Sequence, residues 1–147
     1  MNTMRALLLV AAVGIAGYAV IAPDEGPPSS PPVVTNARGD DIRRAFDNQL
    51  SDVQVTGAGV VTRVLADDTD GSRHQRFILR LADGQTVLIS HNIDLAPRIP
   101  DLRSGDRVEF SGKYEWNAKG GVIHWTHHDP AVRDRGGWLR RGGDTFR

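Results

Sequence analysis

The chain has 147 residues, of which 18 are basic and 18 are acidic, so no overall positive field attracts nucleic acid or acidic lipid. It contains no cysteine, which excludes disulfides, thiolate catalysis, cysteine-bound zinc and a lipid-modified cysteine. Residues 40–147 are enough for one domain, and we expect one.

An apolar segment without charged residues covers residues 6–22 and follows the basic Arg5. This pattern is typical of an export signal, and its length also reaches the lower limit of a membrane-spanning helix. Residues 1–22 are therefore predicted to be an apolar helix, either a cleaved signal peptide or a retained anchor in the inner membrane. Both alternatives place the rest of the chain in the periplasm or outside the cell. Residues 23–39 are rich in proline and are predicted to be an extended linker.

A short helix is predicted at the start of the folded domain. The acidic pair at residues 40–41 favours the positive end of a helix dipole. Ile42, Phe46 and Leu50 then share one helical face, and we expect the helix to end near Gln49.

The first strand is predicted to be long and bent. Val53 and Val55 alternate with polar residues, but after the glycines of residues 57–59 the apolar positions change to Val60 and Val64. A change of parity at glycines is typical of a β-bulge or a sharp coil, so we expect the strand to change its buried face there.

Four more strands follow, separated by turn residues. They are predicted at residues 73–81, 86–91, 108–116 and 122–127. The connection at residues 95–102 contains two prolines and is predicted to be irregular or a short helix. This order favours an all-β, five-stranded barrel of the oligonucleotide/oligosaccharide-binding (OB) type, with an SH3-type roll or a small sandwich as alternatives. An OB barrel would bind its ligand on strands two and three, beside the loops at residues 66–72 and 117–121.

The end of the domain carries the most specific motifs. Tyr-Glu-Trp-Asn stands at residues 114–117, Gly-Gly at 120–121 and His-Trp-Thr-His at 124–127. With the segments 74–77 and 91–98, these motifs resemble a family of small exported bacterial proteins classed as a domain of unknown function. The similarity runs from about residue 52 to residue 138. The resemblance implies the fold and export, and it implies no activity.

Histidines and carboxylates near the end of the chain suggest a divalent metal, since imidazole and carboxylate together suit zinc and related ions. The candidate ligands are His74, His91, His124, His127 and Asp129. If the last strand alternates regularly, His124 and His127 face opposite sides, so the run alone does not chelate one ion. The alternative is that these two histidines hydrogen-bond to backbone or carboxylate groups and hold the loops in place.

Two functions follow from these residues. The first is a non-catalytic, exported binding or accessory domain of the cell envelope, whose partner is a polyanion, a glycan or an envelope protein and which needs no cofactor. Its candidate ligand-binding residues are Arg76, Arg80, His91, Trp116 and Trp125. The second is a metal-assisted phosphodiesterase or nuclease that uses the histidine-rich last strand. Its candidate catalytic residues are His124, Glu115 and Arg76, although their spacing matches no known nuclease motif.

The aromatic residues of the fourth strand and the C-terminal tail also carry expectations. Phe110, Tyr114 and Trp116 lie on an apolar stripe, where aromatic side chains belong to the core. In the tail, Trp138 is predicted to pack back against the barrel, while residues 140–141 remain in solvent.

Overall fold

A computed structural model describes residues 39–131, 133 and 135–147. The predicted export segment at residues 1–22 and nearly all of the predicted linker at 23–39 lie outside these residues. In the described part, no helix is long and apolar enough to span a bilayer. The helix is α1 (Gly39–Asp47). The strands are β1 (Val53–Val64), β2 (His74–Arg80), β3 (Thr86–Asn92), β4 (Arg107–Glu115), β5 (Val122–His124), β6 (Trp138–Arg141) and β7 (Asp144–Phe146).

Five strands close into a barrel in the order β1-β2-β3-β5-β4, with β4 paired back to β1. All neighbours are antiparallel except β3 and β5, which are parallel. The connection between β3 and β4 is irregular. This is the OB arrangement, so the prediction of a small five-stranded OB-like barrel is confirmed. It replaces the two alternative folds, the SH3-type roll and the small sandwich.

Helix α1 packs on the barrel through Ile42, which is fully buried, and Phe46, which contacts the core. The predicted position of Leu50 on this helical face was wrong, because the helix ends at Asp47 and Leu50 is 48% exposed. Gln49 has a φ of 54°, a left-handed conformation that cannot continue an α-helix.

Strand β1 pairs with β4 over residues 53–60 and with β2 over residues 60–64, as a long bent strand should. The predicted change of its buried face at the glycines was wrong. Val60 and Val64 are 37% and 41% exposed, whereas Val61 is 1% exposed and continues the inward row of Val55. The glycines at 57 and 59 occupy inward positions, and the register shift comes later, between Val61 and Arg63.

These inward glycines are required by close packing. A Cβ atom on Gly57 would lie 2.8 Å from the ring of Phe110, and one on Gly59 would lie 2.8 Å from the carbonyl oxygen of Arg80. Glycine interrupts the apolar pattern in the sequence, although it faces the core in the fold.

The core is formed by the inward rows of the barrel strands and by α1. In β4, Val108, Phe110 and Tyr114 are fully buried, which confirms the predicted stripe. The hydroxyl of Tyr114 donates a hydrogen bond of 3.2 Å to the carbonyl of Gly120, and burial raises the pKa of this phenol. The turn of residues 117–121 is thereby attached to the barrel interior.

The C-terminal tail forms a β-hairpin that the sequence did not predict. Strand β6 pairs with β4 at residues 109–111, and β7 pairs with β6. The buried anchor is Leu139, whereas Trp138 is half-buried beneath the Arg140 guanidinium, whose central carbon lies 4.7 Å from the ring centroid. The expectation that Arg141 stays in solvent was wrong, because it forms an ion pair of 3.1 Å with Asp106.

Candidate functional site

Strand β5 is shorter than predicted, and this decides where the C-terminal histidines lie. It ends at His124, because Trp125 has a φ of 52° and leaves the extended conformation. The regular alternation expected for residues 122–127 was therefore wrong beyond His124. Thr126 and His127 are both buried, although they are adjacent in the chain.

His91 is a core residue whose ring is fully used. Its Nε2 lies 3.0 Å from the carbonyl oxygen of Pro97, and its Nδ1 lies 2.8 Å from the hydroxyl of Thr126. Because a carbonyl only accepts, Nε2 carries the proton, and in the neutral ring Nδ1 accepts from Thr126. Burial lowers the pKa of His91, which favours this neutral form. Neither nitrogen is left for a metal or a ligand.

His127 and Asp129 are held by backbone groups. The Nδ1 of His127 donates a hydrogen bond of 2.8 Å to the carbonyl of His128. The carboxylate of Asp129 is buried and accepts hydrogen bonds of 2.9 and 2.7 Å from the amides of Ala131 and Arg133. These contacts hold the turn after β5, and for His127 this is the structural role named as the alternative to metal binding.

His124 has a carboxylate partner on the neighbouring strand. Its Nε2 lies 3.4 Å from Oε1 of Glu115. Lys113 lies beside this pair, where its ammonium contacts Asp52 at 2.8 Å and lies 6.0 Å from the ring centroid of Trp125. The hydrogen bond from Lys113 lowers the pKa of Asp52. The outer surface of β4 and β5 is therefore a network of polar contacts.

A polar cleft of about 210 Å³ lies where β2, β3 and the end of β5 meet. Its lining residues are His74, Ser90, Asn92, Leu95, His124, Trp125 and His127. Three predicted metal ligands thus share one cleft, while His91 and Asp129 do not line it. Across residues 39–131, 133 and 135–147, no three His, Cys, Asp or Glu side chains are close enough to hold a metal ion.

A second cleft, of about 280 Å³, lies further along the same two strands. Its lining residues are Leu65, Ile78, Thr86, Val87, Leu88, Asn117, Lys119 and Gly121. We call it the apolar cleft because Leu65, Ile78 and Leu88 form its floor. Outward residues of β3 connect the two clefts, because Thr86 and Leu88 line the apolar cleft whereas Ser90 and Asn92 line the polar cleft. The surface that carries both clefts is called the β2–β3 face below.

The predicted ligand-binding residues take different places relative to the β2–β3 face. Arg76 lies on it between the two clefts, with its Nε donating a 3.1 Å hydrogen bond to the carbonyl of Ala66. Arg80 is exposed at its edge, paired with Thr86, and Trp125 lines the polar cleft. Trp116 packs against the core, and its buried indole NH has no hydrogen-bond partner among the described residues.

Sequence reasoning missed the apolar floor of the second cleft, formed by Leu65, Ile78 and Leu88. A signal was present in the runs Phe-Ile-Leu at residues 77–79 and Val-Leu-Ile at 87–89. Three consecutive apolar residues in a strand place apolar side chains on both faces. The middle residue of each run, Ile78 or Leu88, therefore points outward into the cleft.

Comparison with known families identifies a family whose model matches this chain. The model of the family described as "Protein of unknown function (DUF3465)" covers residues 29–147, which include the β-barrel and the C-terminal hairpin. The expectation of a family of unknown function is confirmed. A comparison with curated proteins returns no significant match.

Proposed function

We propose that this chain, which belongs to the DUF3465 family, is an exported OB-type binding domain of the cell envelope that holds an extended ligand on its β2–β3 face. One observation carries the proposal: two clefts follow each other along this face, and the outward residues of β3 connect them. From Thr86 to Asn92 the strand extends about 20 Å at about 3.3 Å per residue. A chain of several sugar or nucleotide units fits this length better than a compact metabolite does.

The chemistry of the face suits recognition. The polar cleft offers imidazole, amide and hydroxyl groups beside the ring of Trp125, and the other cleft offers an apolar floor. Binding sites commonly combine apolar or aromatic surface with a few polar groups that orient the ligand. The contacts of His91, His127 and Asp129 also support binding over catalysis, because each of these side chains is occupied in holding the scaffold.

Binding to the β2–β3 face is tested by replacing its tryptophan. We expect Trp125→Ala to weaken binding of an oligosaccharide or oligonucleotide by about tenfold or more, because stacking on an aromatic ring contributes about 1–3 kcal/mol per unit. Isothermal titration calorimetry of the full chain with maltohexaose, heparin hexasaccharide and the oligonucleotide dT12 measures this. Trp138→Ala is the matched control, since Trp138 lies on β6 and lines neither cleft. An equal loss in both variants, or no binding of any probe by the wild type, contradicts the proposal.

Export is tested with alkaline phosphatase fused after residue 39, since this enzyme becomes active only after export. We expect an active fusion, and we expect Val13→Arg to lower its activity by about tenfold or more. The reason is that a charge at the centre of an apolar segment costs about 2.5–3.5 kcal/mol on insertion. Asn36→Arg adds the same charge in the proline-rich segment and should leave activity unchanged. An inactive wild-type fusion would reject export.

The metal-assisted phosphodiesterase is the second candidate, and the contact between His124 and Glu115 in the polar cleft region favours it. Arg76 lies across β3 from this pair, since Arg76 is paired with Ser90 and β3 neighbours β5. Elemental analysis of the full chain, together with cleavage assays on single-stranded DNA and RNA, distinguishes the two functions. A stoichiometric metal and a cleavage activity that are both lost in His124→Ala would favour the enzyme.

A further inference from the structure

Three cations surround the apolar cleft. On its β1 side, Arg63 is paired with Ile78 of the cleft floor and Arg80 is paired with Thr86 of the cleft wall. On its other side, Lys119 of the β4–β5 turn lines the cleft directly. All three side chains are exposed, so the cleft has an apolar floor and a basic rim.

The rim cations share the absence of an acidic partner among the described residues. Several basic residues elsewhere form ion pairs: Arg43 with Asp83, Arg73 with Asp94, Arg98 with Asp67, Arg140 with Glu109 and Arg141 with Asp106. Among the residues described by the structure, no carboxylate contacts the side chains of Arg63, Arg80 or Lys119. Their charges are therefore available to an anionic group of a ligand.

The basic surface continues past the cleft. Val60 of β1 is paired with Arg80 on one side and with Arg107 on the other, and all three side chains are exposed. Adjacent strands lie about 4.7–4.9 Å apart, so the two arginines stand about 10 Å apart across the strands. A polymer with repeated negative charges can contact both, whereas a single small anion cannot.

The apolar floor distinguishes between anionic polymers. Proteins that bind single-stranded nucleic acid stack its bases on aromatic side chains. No aromatic side chain lines the apolar cleft, because Phe77, Phe110 and Tyr114 are fully buried inside the barrel. Trp125 lies at the polar cleft, so only one aromatic ring of the two cleft linings is available for stacking, too few for successive bases. The aliphatic floor of Leu65, Ile78 and Leu88 instead suits the C–H face of a sugar ring.

We infer that the ligand is an anionic polysaccharide, with a sugar ring on the apolar floor and its carboxylate or sulfate groups on Arg63, Arg80 and Lys119. This inference rests on the proposed binding function of the β2–β3 face and specifies its ligand class. The arginine guanidinium suits these groups because its planar N–H donors match the two oxygens of an acid group.

The test compares two double variants of the full chain by calorimetry in a mild detergent. We expect the wild type to bind heparin hexasaccharide at least about tenfold more tightly than maltohexaose. Arg63→Gln with Arg80→Gln should weaken heparin binding by about tenfold or more and reduce its dependence on salt, because exposed charge contacts are screened by ions. Arg44→Gln with Arg73→Gln removes the same charge elsewhere and should change affinity by less than about twofold.

Each contrary result has a separate meaning. An equal loss in the control double variant would show a general charge effect and overturn the inference. Tighter binding of dT12 than of heparin hexasaccharide would assign the face to nucleic acid. Equal binding of maltohexaose and heparin hexasaccharide would reject the anionic class and leave the proposed function standing, whereas binding of none of the three probes would overturn both.

Discussion

Gly137→Ala is expected to destabilise the barrel by about 3 kcal/mol and to lower its melting temperature by on the order of 10 °C. Gly137 is buried, and a Cβ atom there would collide with the carbonyl oxygens of Trp125 and Ser111. Both are backbone atoms, so no side chain can rotate away. The backbone must therefore move to relieve the collision, and this movement would weaken the 2.7 Å hydrogen bond from the Gly137 amide to the carbonyl of His127. Thermal unfolding of the full chain by circular dichroism measures the effect.

Gly142→Ala is the matched control. A Cβ atom on Gly142 meets nothing within 4 Å, and its φ of 58° makes alanine unfavourable by only about 1–2 kcal/mol. A smaller loss of stability in Gly142→Ala than in Gly137→Ala therefore isolates the collision. Equal losses would mean that the collision at residue 137 costs no more than the left-handed conformation of alanine at residue 142.

The second large effect concerns His91 and pH. Burial lowers the pKa of His91 in the folded chain below the ordinary value of 6.5 that it has when unfolded. The unfolded chain therefore binds the proton first as the pH falls, so acid favours unfolding. The contribution of His91 to the free energy of unfolding should be constant well above pH 6.5. It should then decrease below pH 6.5 by up to about 1.4 kcal/mol per pH unit until the folded pKa is reached.

Urea unfolding of wild type and His91→Gln at several pH values between 7.5 and 5 tests this assignment. At pH 7.5 the variant should lose about 2–3 kcal/mol, because Thr126 and the carbonyl of Pro97 lose buried hydrogen-bond partners. It should also lose the part of the acid dependence that belongs to His91. His128→Gln, at an exposed position, should change neither quantity. A variant that keeps the full wild-type slope would assign the acid sensitivity to other groups.

Much of the fold was predictable from alternation and turn residues. The strands at residues 74–80, 86–92 and 107–115 are separated by segments that contain a turn glycine, and these turns mark the order of the strands along the chain. The predictions failed where a residue's role in packing differs from its chemical type. Glycines 57 and 59 face the core without carrying apolar atoms, so the inward row of β1 was assigned to the wrong side. Strands β6 and β7 are too short to give a pattern.

The candidate site was predictable in its location and less so in its residues. The OB order alone points to the second and third strands, and both clefts lie there. The individual roles depended on backbone conformation that residue types do not encode. Trp125 takes a left-handed φ and ends β5, which separates His124 on the surface from Thr126 in the core. The same turn brings His127 back to the polar cleft.

By itself, the sequence determined the order of the strands along the chain, the turns and the residue types available on each strand. Alternation and turn chemistry suffice for this because they act over a few neighbouring residues. Only the tertiary structure decided which of those residues meet. Barrel closure placed His91 against Thr126, 35 residues away, and brought Lys119 to the same cleft as Ile78. Such contacts depend on how distant strands pair and pack, which no local pattern specifies. A structural histidine and a surface histidine therefore look alike until the barrel is closed.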